Sequence, residues 1–158
     1  FANIQLVLTD VDGVLTDGGM YYSVKGEAMK KFNTRDSMGM ELLYKVNIPT
    51  ILITREKSEI VKKRAKKIKI HELKMGVMNK EKLFPKICSD FNLNPSQIVY
   101  IGDDVNDFKI LKLAGLSTCP SDAVEKIQTN VDYICNAAGG KGAFREIADI
   151  ILKSKNLY

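Results

Sequence analysis

Two aspartates two positions apart, in the run Asp10-Val11-Asp12-Gly13-Val14, directly follow the apolar stretch Ile4-Gln5-Leu6-Val7-Leu8-Thr9. Alternate residues of an extended segment point the same way, so both carboxylates crowd one space at the mouth of a buried strand. Like charges so placed repel each other unless a cation or a shared proton relieves them. A divalent metal and a phosphorylated substrate meet that demand. A plain turn is the competing reading, because Asp and Gly favour turns for backbone reasons of their own.

The elements that must position these groups follow from the apolar pattern. Ile48-Pro49-Thr50-Ile51-Leu52-Ile53-Thr54 and Gln97-Ile98-Val99-Tyr100-Ile101-Gly102 predict buried strands, and Glu72 to Met75 and Leu116 to Cys119 are weaker strand candidates. Helical patterns alternate with them at Ser37 to Val46, Ser58 to Ile68, Lys80 to Phe91, Asp104 to Leu113 and Ala143 to Leu152. The alternation predicts an α/β fold, a Rossmann-like parallel sheet with helices on both faces. Such sheets bind ligands at the carboxyl ends of their strands. Those ends carry Asp10 and Asp12, then Thr54, then Asp103 and Asp104. Residues 18–32 break the alternation and read as a short β-hairpin inserted after the first strand. Its Met20, Tyr22, Met29 and Phe32 would need something to pack on, which predicts a subunit interface.

Bulk properties bound the function. A chain of 158 residues suits a single domain over 1–158 with its own core. No apolar stretch reaches membrane-spanning length, so no membrane partner is expected. Cys88, Cys119 and Cys135 lack metal-binding spacing and point to a reducing, cytoplasmic setting. With His71 the only histidine, zinc hydrolases and histidine-based triads are poorly supported. The net charge of +5 concentrates in Lys57 to Lys69, usually the mark of a solvated helix face. Without interleaved aromatics or a recognition motif, nucleic acid is not an expected partner. Gly139 to Ala143 lacks the spacing of a nucleotide-binding loop.

Four motifs in order resemble those of the haloacid dehalogenase superfamily of phosphohydrolases, over nearly the whole chain. They are Asp10-Val11-Asp12-Gly13-Val14, Thr54 at a strand end, Lys80 opening a helix, and Gly102-Asp103-Asp104-Val105-Asn106-Asp107. The resemblance implies that Asp10 attacks phosphorus to form an aspartyl phosphate, which water then hydrolyses. It implies that Asp12 protonates the leaving alkoxide and later deprotonates the water. It also implies magnesium held by the Asp10 carboxylate, the Asp12 carbonyl and Asp103, with Asp104 and Asp107 in supporting or water-mediated roles. Lys80 would neutralise Asp10 and a phosphoryl oxygen, and Thr54 would hold another. Taken singly, Thr54 reads equally well as a helix cap and Lys80 as a surface lysine; their joint occurrence at the strand ends favours the site.

Short length and the hairpin after Asp17 resemble the subfamily of sugar-acid phosphatases that has no cap domain and in which a homotetramer closes the sites. Phe32-Asn33-Thr34-Arg35-Asp36-Ser37-Met38-Gly39 and Gly139-Gly140-Lys141-Gly142-Ala143-Phe144-Arg145-Glu146 are further matches. Glu56, Arg64 and Lys67 resemble residues of the branch acting on nine-carbon nonulosonate or sialic acid 9-phosphates, and Arg64 and Lys67 share a helix face suited to a carboxylate. Arg55 stands where relatives usually carry glycine, at a position that could contact substrate. The expected substrate is therefore the nine-carbon sugar acid phosphate, with the eight-carbon 2-keto-3-deoxy-octulosonate 8-phosphate as the alternative. A non-catalytic assembly module is the alternative from another class, and the presence of Asp10, Asp12, Lys80 and Asp103 argues against it.

Overall fold

Short aliphatic runs buried on both faces form parallel strands when helices can cover them. In the computed structural model, which describes residues 1–158, the chain runs β1 (Leu6–Thr9), β2 (Tyr21–Ser23), β3 (Gly26–Met29), α1 (Thr34–Lys45), β4 (Thr50–Ile53), α2 (Glu59–Ala65) and β5 (Glu72–Lys74). It continues through α3 (Phe84–Phe91), β6 (Ile98–Ile101), α4 (Phe108–Leu113), β7 (Leu116–Cys119), α5 (Glu125–Gln128), β8 (Tyr133–Ile134) and α6 (Ala143–Ser154). Six strands form one parallel sheet in the order β5-β4-β1-β6-β7-β8. The chain winds outward from β1 to β5, crosses back, and winds outward again from β6 to β8, which places β1 at the switch point where ligands bind.

The period of two along each central strand divides the core. Val7, Leu52, Val99 and Ile101 face a cluster built with Met40 and Leu43 of α1, Val61 of α2 and Phe144, Ile147 and Ile151 of α6. Leu6, Leu8, Ile51, Ile53 and Tyr100 face the other cluster, with Phe84 and Ile87 of α3 and Ile110 and Leu111 of α4. This is the expected sheet with helices on both faces.

The differences from the expected elements have local causes. Lys80–Leu83 is a 3-10 turn rather than the first turn of α3. Pro85 has no N–H to continue an α-helical ladder, so the Phe84 N–H bonds back to Glu81 and the turn tightens. Val105–Asp107 is likewise a 3-10 turn before α4. The two-residue β8 and the single turn of α5 are too short to leave a periodic signal.

The antiparallel pair β2 and β3 realises the expected hairpin, with Met20, Tyr21, Tyr22 and Met29 exposed. Phe32 departs from the expected interface set. It packs against the main core beneath the Arg64 guanidinium, 5.7 Å from its ring centre. The thiols Cys88, Cys119 and Cys135 are all free.

The late glycine run braces the loop after Asp12. A Cβ on Gly139 would lie 2.0 Å from the Gly13 carbonyl oxygen, so backbone meets backbone there. The Gly140 N–H donates to Val14 at 2.9 Å, and Asn33 donates to the Gly140 carbonyl at 3.1 Å. One helical turn further on, the Arg145 N–H donates to the buried Asp36 carboxylate at 3.0 Å, fixing the start of α6 to α1. Gly139→Ala is expected to destabilise the protein by about 2 kcal/mol or more through overpacking. Urea unfolding measures it, and a variant as stable as the parent would contradict the brace.

Candidate active site

Asp10 leaves the carboxyl end of β1 with its side chain 6% exposed, and burial of a carboxylate demands partners. Its Oδ1 accepts from the Val11 N–H at 2.7 Å, and its Oδ2 lies 2.8 Å from Lys80 Nζ. The Lys80 side chain has no solvent exposure and also reaches Asp107 Oδ1 at 2.7 Å. Tyr100 donates to the same Asp107 oxygen at 2.6 Å, while Asp107 Oδ2 accepts from the Asp103 N–H at 3.1 Å. Asp107 thus touches Lys80 directly, where the sequence suggested a supporting or water-mediated place.

Charge in this cluster is unbalanced. Carboxylate oxygens of Asp10, Asp103 and Asp107 all lie within 4.8 Å of one another, facing the one ammonium of Lys80. Burial, then repulsion by Asp107, pushes the Asp10 carboxyl well up, against the pull of Lys80. Burial and the Asp107 and Asp104 charges push Asp103 up to about 7. Burial would lower the Lys80 amine, but the Asp10 and Asp107 charges outweigh it and hold it above the ordinary lysine value. Burial raises the Tyr100 phenol further, so it remains a donor.

An oxygen-seeking divalent cation fits the surplus of negative charge. Asp103 Oδ1 and Asp12 Oδ2 are buried with no hydrogen-bond partner, as oxygens meant for a ligand would be. Asp103 Oδ1 has no partner and each Asp10 oxygen has only one, so these two carboxylates can still hold the ion, whereas Asp107 Oδ1 already takes both Lys80 and Tyr100 and its Oδ2 takes the Asp103 N–H. Gly13 makes the approach possible: it has φ +86°, and a Cβ there would lie 1.9 Å from Asp103 Oδ2.

Asp10, Asp12, Thr54, Arg55, Glu56, Asp103 and Asp104 line a cavity of about 540 Å³ together with Gly18, Met78 and Asn106. Thr54 is buried, and its hydroxyl accepts from the Glu56 N–H at 3.1 Å. Asp104 caps the turn that follows, accepting from the Val105 N–H at 2.6 Å. Arg64 and Lys67 are not brought to this cavity. Arg64 donates to Ser37 and lies over Phe32, and Lys67 is exposed beyond the end of α2. The cavity of this chain is therefore lined without the pair expected to bind substrate.

Two residues of the site were not foreseen. Tyr100 sits in a strand that reads as purely apolar, and a phenol buried beside carboxylates was the only cue. Lys30 belongs to the hairpin, whose apolar residues drew the reading; its ammonium lies 2.5 Å from Asp12 Oδ1 and 3.0 Å from Glu27. Burial would lower the Lys30 amine, but the bonds to Asp12 and Glu27 outweigh it and keep it charged.

An acidic, all-oxygen cluster around one buried lysine, at the switch point of a doubly wound sheet, is suited to hold a divalent cation and a phosphorylated substrate, as the enzymes of phosphoryl transfer do. The sequence profile of the haloacid dehalogenase-like hydrolases matches residues 24–147, and the chain belongs to that family. It is 37% identical over 150 residues to the 3-deoxy-D-manno-octulosonate 8-phosphate phosphatase of Salmonella typhimurium, covering 95% of this chain and 80% of that one. The crystal structure of the Yersinia pestis phosphatase of the same name superposes with a TM-score of 0.95 at 34% identity, covering 99% of this chain and 84% of that one. That of the Moraxella catarrhalis phosphatase, in complex with magnesium ion, phosphate ion and KDO, superposes with a TM-score of 0.93 at 33% identity over 98% and 89% of the two chains.

Magnesium is expected to raise the melting temperature of the protein, since a ligand held only by the folded chain stabilises it. In Gly13→Ala the displaced Asp103 should weaken that binding roughly ten- to hundredfold, as loss of a supporting contact does in metal sites. Melting curves against magnesium concentration measure both, and coincident curves for the two proteins would contradict the assignment of Asp103.

Proposed function

We propose that this chain is a magnesium-dependent phosphatase that hydrolyses 3-deoxy-D-manno-octulosonate 8-phosphate through an aspartyl phosphate on Asp10. The observation that carries the reading is the Asp10 carboxylate paired with buried Lys80 in a cavity that also presents Asp12 and Asp103. Asp10, the Asp12 carbonyl and Asp103 would hold magnesium. When bound, the ion supplies positive charge between an anionic nucleophile and a phosphate.

The chain's own residues perform the rest. Val11 N–H and Lys80 fix the two Asp10 oxygens, which orients the carboxylate for attack on phosphorus. Lys80 is kept in place by Asp107, itself held by Tyr100 and the Asp103 N–H. The P–O bond to the sugar breaks as Asp10 bonds to phosphorus, and Asp12 gives its proton to the departing alkoxide. Asp12 then takes a proton from water as the water oxygen attacks phosphorus and Asp10 leaves. Thr54 and Arg55, which both line the cavity, are suited to phosphate oxygens and a substrate anion.

The eight-carbon substrate takes precedence over the nine-carbon one expected from sequence. The relatives named above act on the eight-carbon compound, and of Glu56, Arg64 and Lys67 only Glu56 lines the cavity of its own chain. Glu56 at the rim is the observation that still favours a nonulosonate 9-phosphate. The exposed Met20, Tyr21, Tyr22 and Met29 support a subunit interface at the hairpin, as in the homotetramer that the resemblance implies. Free thiols support a cytoplasmic setting, and no helix is long and apolar enough to cross a membrane.

Phosphate release with magnesium is expected to show a higher kcat/KM for the octulosonate 8-phosphate than for a matched nonulosonate 9-phosphate. Asp10→Asn should reduce turnover by roughly 10³-fold or more, as removal of a nucleophile does. Preference for the nine-carbon ester would return the specificity to Glu56 and its partners. Undiminished turnover in Asp10→Asn would overturn the mechanism.

A further inference from the structure

A proton donor works only when the correct oxygen is within hydrogen-bond reach of the departing atom. Rotation about the last bond of an aspartate is broad and roughly two-fold, so a free carboxylate exchanges its oxygens readily. Asp12 is not free in this respect. Lys30 Nζ, on a side chain without solvent exposure, holds Asp12 Oδ1 at 2.5 Å, while Asp12 Oδ2 is buried without a partner. The second arm of Lys30 reaches Glu27 Oε1 at 3.0 Å, and the other Glu27 oxygen accepts from the Ser58 hydroxyl. Ser58 in turn caps α2, its oxygen accepting from the Val61 N–H at 3.2 Å. A continuous ladder therefore runs from the first turn of α2 through the hairpin to the carboxylate in the cavity.

We propose that Lys30, carried by the hairpin, is the positioning residue for proton transfer: by anchoring Asp12 Oδ1 it presents Oδ2 to the leaving oxygen. The inference rests on the phosphatase reading given above. A clamp that only holds the hairpin to the domain would use the same contacts, but the two roles differ in which substrates suffer when Lys30 is lost. An alkoxide needs a proton in order to leave, whereas nitrophenolate leaves without one. Misplacement of Asp12 therefore slows the first chemical step for a sugar phosphate and spares it for p-nitrophenyl phosphate. A loosened fold slows both.

Single-turnover rates with enzyme in excess, in magnesium, separate the two. In Lys30→Met the release of sugar acid from 3-deoxy-D-manno-octulosonate 8-phosphate is expected to fall roughly ten- to hundredfold, the scale of a misplaced catalytic group. Nitrophenolate release should stay within about threefold of the parent rate, because that step uses no proton donor. Lys30→Arg, which keeps a donor at the anchor, should recover most of the loss. Glu27→Gln, which leaves Lys30 present but removes the charge of its second partner, should show a smaller loss of the same selectivity and serves if Lys30→Met does not fold. Equal losses on the two esters, or none, would overturn the role of Lys30 while leaving the phosphatase reading intact. Hydrolysis of neither ester by the parent protein would overturn that reading and this inference with it.

Discussion

The structure turns on one buried ammonium. Lys80 has no contact with solvent, and a lysine so placed is tolerable only when paired and hydrogen-bonded. Asp10 and Asp107 supply the partners, and each is drawn out of water by the same arrangement. A pair of this kind is weak evidence for stability, since burying the ions works against the attraction between them. Its value here is geometric: the ammonium fixes one oxygen of Asp10 and leaves the carboxylate facing the cavity. Tyr100 and the Asp103 N–H fix Asp107 in turn, so the orientation of the nucleophile is set by residues from β1, β6 and the two 3-10 turns.

Backbone approach is the second constraint. Gly13 lets the loop after Asp12 close onto Asp103, and Gly139 lets the segment before α6 press on that loop in turn. The acidic centre is therefore backed by two close approaches in series, Gly139 on the Gly13 backbone and Gly13 on the Asp103 carboxylate, each of which a single methyl group would prevent. With carboxylates of Asp10, Asp103 and Asp107 facing one lysine, the protein spends folding energy to hold negative charge where a cation is wanted. That pattern fits a site whose electrostatics are complete only with its ligands.

Much of this was legible in the sequence, for identifiable reasons. The central strands read clearly because they are uniformly aliphatic, and strand ends in a doubly wound sheet fall on one edge. The sequence alone thus brings Asp10, Asp12, Thr54, Asp103 and Asp104 together, and they do line one cavity. Lys30 was hidden because a lysine in a hairpin normally lies in solvent, and only its tertiary contacts reveal that Asp12 and Glu27 bury it. Tyr100 was hidden by its apolar neighbours. The shared helix face expected for Arg64 and Lys67 is not formed, because α2 ends at Ala65 and leaves Lys67 past its end, and helical spacing by itself says nothing about which cavity a face addresses.

The most direct test of the account is to trap the covalent step. In Asp12→Asn, attack on p-nitrophenyl phosphate needs no proton donor, while hydrolysis of the resulting acyl phosphate has lost its base. Acid quenching after mixing with p-nitrophenyl phosphate and magnesium, followed by peptide mass mapping, should therefore find one hydroxylamine-labile phosphoryl group on Asp10. Nitrophenolate release with no phosphoryl group on the protein, or a phosphoryl group on any other residue, would contradict the account.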